Sequence, residues 1–179
     1  TAARVALSVR QAAKNEAISM ADARRTQEWL AEPVKRIGQN VNSPVFILSV
    51  AETRLSDIAE GECVATPNDI ARLGFAVAAA LVGQSVQGMA AEAVEFAQQI
   101  ANKLKSAKKP LIISGTSLQD PALLEAAAQI AQNLGAAAGL TLIVPEVNSM
   151  GSVLLGGLPL EEALLGDYDA LVLAENDLF

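Results

Sequence analysis

The sequence predicts an α/β protein with a layered, mostly parallel sheet and helices on both faces of that sheet. Four short apolar runs of strand length alternate with segments of helical periodicity along the 179 residues. The runs are continuous, which is typical of strands covered on both faces. Hydrophobic residues make up 51% of the chain and aromatic residues only 3%. A core of helices packed on small side chains is therefore expected.

The first part of the chain, residues 1–44, is predicted to be a helical N-terminal segment. Apolar residues recur at helical spacing from Val5 to Gln39, which indicates two helices with a break near Asn15 to Asp22. Trp29 falls within the second of these helices. Because a lone tryptophan at helical spacing usually serves packing, Trp29 is expected to anchor that helix in a core.

Residues 45–179 are predicted to form one α/β domain, and no linker divides them. The run Asn42 to Val50 predicts the first strand, and residues 52–61 predict a loop or short helix. A helix apolar almost all round should follow, with Asp69 as its N-cap and Gly83 at its end. The next helix carries one apolar stripe, formed by Val94, Ala97, Ile100, Ala101 and Leu104.

The last third of the chain alternates strands and helices more regularly. Leu111 to Ile113 predict a strand, Gly115 the turn that leaves it, and Asp120 with Pro121 a helix start. Another strand is expected over residues 139–146, followed by a glycine-punctuated loop over residues 148–159. A short helix over residues 160–167 and a final strand, Ala170 to Ala174, complete the pattern.

Composition disfavours several classes of function. The formal net charge is -7, so the surface repels phosphate backbones and nucleic acid is not an expected partner. The chain has no histidine, which removes the commonest general base and metal ligand, and one cysteine, Cys63. The longest apolar run, Ile70 to Val82, is shorter than the ~20 residues of a membrane-spanning helix, so no direct membrane insertion is expected.

The glycine turn is the first candidate ligand site. The stretch "SGTSLQDP" around Gly115 matches neither the dinucleotide-binding nor the P-loop pattern. Asp120 places a carboxylate where a phosphate would bind at the helix N-terminus. The glycines of residues 148–157 follow a strand end, where they suit a ligand or a partner protein equally.

Charged and reactive residues supply the other candidates. A lysine group at the end of the second long helix suits a capped, solvated terminus better than a phosphate site; it comprises Lys103, Lys105, Lys108 and Lys109. Glu175 and Asp177 suit a ribose, a metal, an arginine or an ordinary turn. Cys63 lacks an activating histidine and is expected to be buried or idle. No catalytic, cofactor-binding or metal-binding residue is predicted.

Two neighbouring segments carry a family resemblance. "VFILSVAETRLSDIA" followed by "VATPNDIARLGFAVAAALVG" resembles the molybdopterin oxidoreductase family. "KKPLIISGTSLQDPALLEAAAQIAQNLG", "GLTLIVPEVNSMG" and "DALVLAENDLF" resemble one branch of it, the large iron–sulfur subunits (G subunits) of NADH–quinone oxidoreductase, respiratory complex I. The resemblance covers Val45 to Phe179. It implies a Rossmann-like fold on the molybdopterin oxidoreductase scaffold.

The resemblance also implies that a cofactor has been lost. Cofactor-binding relatives have an Asp-Pro-Arg turn where this chain has Val50, Ala51 and Glu52, and Gly-Thr-Asp where it has Asn68 and Asp69. Glu52 replaces a positive group with a negative one, so both it and Asp120 oppose an anionic ligand. The family's iron–sulfur clusters are expected in an N-terminal region outside this chain, because no C-x-x-C spacing occurs here.

The implied function is that of a non-catalytic scaffold. We expect the chain to be part of a longer protein, because both of its ends look cut. Electrons would pass from NADH to quinone through clusters elsewhere. The implied partners are other subunits of the peripheral arm, at the cytoplasmic face of the bacterial inner membrane. Two alternatives stay open: the cofactor-binding domain of a molybdopterin oxidoreductase, and the central domain of a thiamine-diphosphate enzyme, which shares "KKPLIISGT" and "AQNLGA".

Overall fold

The computed structural model of the protein describes residues 3–39, 41–84, 86–146, 148–170 and 172. The chain divides into two compact units, Thr1–Pro145 and Glu146–Phe179. The domain boundary expected after residue 44 stays a prediction.

The described residues form helices and short strands in alternation. In the first unit the helices are α1 (Ala3–Ala12), α2 (Asn15–Ala23), α3 (Ala31–Gly38), α4 (Pro67–Leu81), α5 (Ala91–Ser106) and α6 (Pro121–Leu134). Its strands are β1 (Phe46–Ser49), β2 (Gly61–Val64), β3 (Leu111–Gly115) and β4 (Gly139–Ile143). Short 3-10 helices span Ser56–Ile58 and Gly135–Ala137. In the second unit the helices are α7 (Ser149–Leu154) and α8 (Leu160–Leu164).

The strands of the first unit pair in parallel, as the alternation of strands and helices predicts. Strand β1 pairs with β2, with Leu48 opposite Cys63. Strand β3 pairs with β4, with Ile113 opposite Thr141. These are two separate two-stranded sheets within the described residues. The predicted mixed α/β class with parallel pairing is therefore confirmed at this level.

The N-terminal region differs from its prediction in two ways. It forms three helices, and the first break lies at residues 13–14, before the predicted one. Trp29 lies in the turn between α2 and α3 and is 75% exposed, so the expectation that it anchors a core is wrong. Helix α2 ends because the N–H of Thr26 bonds back to the carbonyl of Ala21 while Arg25 takes φ 56°. The helical spacing through Trp29 is thereby interrupted.

Two contacts hold the N-terminal helices in place. Gly38 lies so close to α2 that a Cβ there would be 2.5 Å from the Cβ of Ala17. Arg10 of α1 forms a two-pronged ion pair with Asp57, with both nitrogen–oxygen distances 2.8 Å, and also donates to the carbonyl of Arg54. Helix α1 is thus joined to the loop that follows β1.

Strand β2 lies in a stretch that the sequence did not predict as a strand. It has only four residues and includes Glu62, whose carboxylate oxygen lies 3.0 Å from the Ser56 hydroxyl oxygen. Gly61 is required by close packing, because a Cβ there would lie 2.7 Å from the Phe96 ring. Phe96 in turn meets Phe46 edge to face, with ring centroids 5.9 Å apart.

Helix α4 is the centre of the core. Nine of its fifteen residues are buried, which confirms the prediction from its all-round apolar sequence. It packs against α5 and α6 through small residues: a Cβ on Gly74 would lie 2.9 Å from the Cβ of Ala126. Gly83, with φ +76°, stands just past its end as predicted. The core cluster of buried residues comprises Leu73, Ala76, Val77, Ala78, Ala80, Leu81, Ala97, Ile100, Ala101 and Ile130.

The second unit replaces part of a predicted loop with helix α7. The large apolar side chains Met150, Val153, Leu154, Leu155, Leu158, Leu164 and Leu165 are exposed, from 51% at Leu164 to 88% at Leu165. Helix α8 confirms the predicted short helix. The predicted final strand, Ala170 to Ala174, lies mostly outside the described residues, and Glu175 and Asp177 lie wholly outside them.

Candidate functional site

Ligands in open α/β sheets bind at the carboxyl ends of the parallel strands. The loop after β1 carries Glu52 at such an end, and Glu52 is exposed. This loop closes on itself: the Ser49 hydroxyl donates to the carbonyl of Ala51 at 2.6 Å, and the Ser56 hydroxyl donates to the carbonyl of Thr53 at 2.7 Å. These local hydrogen bonds stabilise the turn that carries the exposed Glu52 carboxylate.

Asp57, in the 3-10 turn of the same loop, is held by Arg10. Hydrogen bonding to the guanidinium lowers the pKa of the Asp57 carboxyl, and the same contact raises the pKa of Arg10. The charge of each group is satisfied by the other, and both are partly exposed. This pair therefore stabilises the loop and leaves neither group free for a ligand. Sequence reasoning missed it because 47 residues separate the partners.

Strand β2 leads into the N-terminus of α4, where Thr66 replaces Asp69 as the N-cap. Thr66 is the N-cap, and its hydroxyl oxygen accepts a hydrogen bond from the Asp69 N–H at 3.3 Å. The hydroxyl donates in turn to the Asp69 carboxylate at 2.7 Å. Asp69 as N-cap was thus wrong by three positions. The signal was present as Thr-Pro-Asn-Asp, a threonine three residues before an acid.

At the N-terminus of α6 the predicted start is confirmed. Asp120 is the N-cap, its carboxylate accepts from the Ala122 N–H at 2.9 Å, and Pro121 occupies the first helical position. Gly115 does not make the predicted turn. It is the last residue of β3, and a Cβ there would lie 2.7 Å from the carbonyl oxygen of Ile143. The glycine permits close approach of β3 and β4.

Both helix N-termini that follow strands β2 and β3 therefore carry their own carboxylates. A helix N-terminus attracts anions through its unpaired N–H groups and its partial positive charge. Asp69 and Asp120 occupy that position at α4 and α6, and Glu52 adds a third negative charge after β1. This arrangement repels phosphate and pyrophosphate groups.

The lysines cluster at the opposite ends of the strands. Lys103 pairs with Glu60 at 2.7 Å, and Lys105 approaches the carbonyl of Ala80 at 3.4 Å. Lys108 and Lys109 line an open hollow of about 590 Å³ at the amino ends of β3 and β4, beside residues 136–139. Lys103 and Lys105 thus contact the loop before β2 and the C-terminal turn of α4, and the expected capping of α5 by the lysine group stays a prediction. The hollow lies away from the strand ends at which α/β proteins bind ligands.

Cys63 is half-buried on β2 and packs against the core cluster. Among the residues that the structure describes, no three His, Cys, Asp or Glu side chains gather closely enough to hold a metal ion. Within the same ranges, no helix is both long and apolar enough to cross a bilayer.

The chain is thus an α/β region in which the N-termini of α4 and α6 carry the acidic side chains Asp69 and Asp120. No protein-family model matches the chain. The chain is 52% identical over its full length to the G subunit of the NADH-quinone oxidoreductase of Pseudomonas putida, and 45% identical over 99% of its length to that of Escherichia coli (strain K12). The predicted resemblance to the G subunits of NADH-quinone oxidoreductase is thereby confirmed. The chain spans about a fifth (21%) of the length of these relatives.

Proposed function

We propose that this chain is a non-catalytic scaffold region of a G subunit of NADH–quinone oxidoreductase, built on the Rossmann-like scaffold of molybdopterin oxidoreductases. The similarity of the whole chain to proteins named as that subunit supports the assignment. Its parallel strand pairs flanked by helices are compatible with the scaffold.

The observation that carries the non-catalytic role is the acidic closure of the helix N-termini. An anionic cofactor held at the strand ends would meet the Asp120 carboxylate, which already bonds to the Ala122 N–H. At α4 it would meet Asp69, which is engaged by Thr66. Because like charges repel most strongly at close range, these positions oppose the binding of a pterin pyrophosphate. The region would then contribute shape and packing surface.

Partners and location follow from the proposed subunit. The region would pack on other subunits of the peripheral arm of complex I, while electrons travel through iron–sulfur clusters held elsewhere in the longer polypeptide. The complex would lie at the cytoplasmic face of the bacterial inner membrane, with this region outside the bilayer.

A paired substitution in the full-length protein, studied in its complex, tests the proposal. Glu52→Gln together with Asp120→Asn removes two charges while keeping side-chain shape and an N-cap acceptor. The rate of NADH-dependent quinone reduction should stay within twofold of the unmodified complex. Gly74→Leu, which disrupts the contact of α4 with Ala126, should instead lower the amount of assembled complex and leave the rate per assembled complex unchanged.

Two results would overturn the scaffold role. One is a loss of turnover of tenfold or more in the charge-neutral pair at normal assembly. The other is one atom of molybdenum per chain, detected by elemental analysis of the purified full-length subunit. The second result would favour the molybdopterin oxidoreductase alternative.

A further inference from the structure

The second unit exposes a cluster of large apolar side chains on and around its two short helices. On α7, Met150, Val153 and Leu154 are three and four residues apart, so they lie on one side of the helix. With them we group four leucines that follow, and each of the seven side chains is more than half exposed. We refer to this set as the leucine surface; it comprises Met150, Val153, Leu154, Leu155, Leu158, Leu164 and Leu165. Exposed apolar clusters of this kind mark interaction sites.

The leucine surface is small enough to belong to one interface. Only residues 155–159 separate α7 from α8. A connection of that length spans at most about 20 Å. A standard interface takes roughly 800 Å² from each partner, which is about 30 Å across and includes both helices.

The charges beside the leucine surface are all negative. Four exposed carboxylates lie on α8 and directly after it, namely Glu161, Glu162, Asp167 and Asp169. The sequence has no lysine or arginine after Lys109, so the second unit has no basic side chain of its own to neutralise them. Protein interfaces have an apolar centre and a polar rim. These four residues, the acidic rim, therefore fit a partner surface whose own rim is basic.

The sign of the acidic rim also distinguishes between classes of partner. Helices that lie on membranes carry Lys and Arg beside their apolar residues, because these side chains are attracted to anionic lipids. Nucleic acid likewise requires basic side chains. The leucine surface has carboxylates at these places, so its apolar and charged groups together favour a protein partner.

We propose that the leucine surface binds a neighbouring subunit of the complex, at an apolar patch on that subunit that is surrounded by lysine or arginine side chains. Removing the apolar side chains from water supplies the main driving force. A rim of one sign guides the encounter of separate partners and rejects wrong ones. A segment of the same polypeptide is already held nearby by its tether and does not need that selection.

This inference rests on the proposed function, because that function places the chain in a complex of several subunits. Its test measures solvent access to the leucine surface and not turnover. A loss of turnover in the charge-neutral pair Glu52→Gln with Asp120→Asn would overturn the scaffold role alone. An unprotected leucine surface would overturn this inference alone.

Oxidation of Met150 by hydrogen peroxide tests the inference without changing the protein. The rate at which a methionine forms its sulfoxide follows the exposure of its side chain. Met150 is exposed, whereas Met89 is half-buried against the core cluster and serves as the internal control. Mass spectrometry measures both rates in the isolated full-length subunit and in the assembled complex. Met150 should oxidise at least tenfold more slowly in the complex, and Met89 should change by less than twofold.

A charge reversal then tests the basic rim of the partner. In the complex, Glu161→Lys with Glu162→Lys should raise the oxidation rate of Met150 at least fivefold, because like charges then face each other. The matched control is Glu92→Lys with Glu95→Lys on α5, which also reverses two exposed acids at and near the start of a helix. The control should change the rate by less than twofold.

Four outcomes would overturn the inference. If Met150 is already protected in the isolated subunit, its own polypeptide covers the leucine surface. If Met150 oxidises equally fast in isolation and in the complex, nothing covers it. If protection in the complex survives the charge reversal, the partner has no basic rim. If phosphatidylglycerol vesicles protect Met150 in the isolated subunit, the surface binds a membrane.

Discussion

Helices α4 and α7 are both rich in apolar residues, yet they lie in opposite surroundings. In α4, Leu73 is 4% exposed and Val77 is 1% exposed, whereas in α7 Val153 is 72% exposed and Leu154 is 81% exposed. Helix α4 has α5, α6 and β1 around it, and none of the described residues of the second unit is a buried hydrophobic residue. An apolar sequence therefore does not by itself show that a helix is buried. Burial also requires other elements of the protein that pack against the helix.

The largest expected effect on stability comes from removing a leucine side chain from α4, and the same substitution in α7 tests the comparison directly. Leu73→Ala should destabilise the chain by about 2–5 kcal/mol, since it opens a cavity between packed helices. Leu154→Ala removes the same atoms from an exposed position and should change the stability by no more than about 0.5 kcal/mol. Urea unfolding followed by circular dichroism measures both. Equal losses in the two variants would show that α7 is covered as α4 is.

The next effect concerns how closely α4 is packed. Gly74→Leu should cost about 1–3 kcal/mol, because the added side chain meets Ala126 and the helices must separate. The double variant Gly74→Ala with Ala126→Gly exchanges the methyl group between the two helices. It should recover most of the stability that Gly74→Ala alone loses. A single variant as stable as the unmodified chain would refute the close contact.

A smaller loss of stability is expected at Gly115, where two paired strands, rather than two helices, approach each other closely. Gly115→Ala should cost about 1–2 kcal/mol, since its Cβ must push against the Ile143 carbonyl. Gly157→Ala in the second unit is the control, because its Cβ would lie 3.9 Å from the nearest atom, the carbonyl oxygen of Ser152. Unfolding midpoints of the two variants in urea give the comparison. A Gly115→Ala variant no less stable than the control would contradict the close approach of the strands.

Capping of α6 should give an effect of about 1 kcal/mol, the usual cost of Asp→Ala at an N-cap. Asp120→Ala removes the acceptor of the Ala122 N–H, whereas Asp120→Asn retains one and should lose much less. Chemical denaturation of both variants separates the hydrogen bond from the charge. If Asn is as costly as Ala, the cap acts by charge alone.

The ion pair of Arg10 and Asp57 should give the smallest effect, and one that depends on pH. The folded protein holds the pKa of Asp57 below its ordinary value, so this pair stabilises the fold above the ordinary carboxyl pKa of about 3.9. That stabilisation is lost as the pH falls through the lowered pKa. Comparing the thermal midpoint of Asp57→Asn with the unmodified chain from pH 2 to pH 6 measures it. The two curves should converge at the acid end, and parallel curves would refute the role of the pair.

Local signals predicted the features that short stretches of sequence control. The Asp120–Pro121 start of α6 and Gly83 beyond α4 are confirmed. Of the predicted stripe on α5, Ala97, Ile100 and Ala101 are buried, whereas Val94 at its start is 36% exposed. Each depends on a cap or on helical periodicity within a few residues. The mixed α/β class followed from the same alternation.

The misses occurred where distant contacts decide the structure. The four residues of β2 do not form an apolar run of the kind that predicts a strand. They are extended because they pair with β1. Trp29 fits a helical stripe, but a left-handed residue at Arg25 ends the helix before it. The sequence around Gly115 predicts a turn. In the structure, the missing side chain at Gly115 instead leaves space for the carbonyl oxygen of Ile143. At the candidate site, Asp120 was predictable from sequence, whereas the Arg10–Asp57 pair required the fold.

The exposed position of Trp29 has a practical consequence for optical measurements. It is the single tryptophan among 179 residues, and it lies on a solvent-facing turn far in sequence from α4. Its emission should change little when the helical core melts, so intrinsic fluorescence is a poor probe of unfolding for this chain. If another protein surface covered the α2–α3 turn, the emission of this indole would shift to the blue, so the same fluorescence would detect binding there.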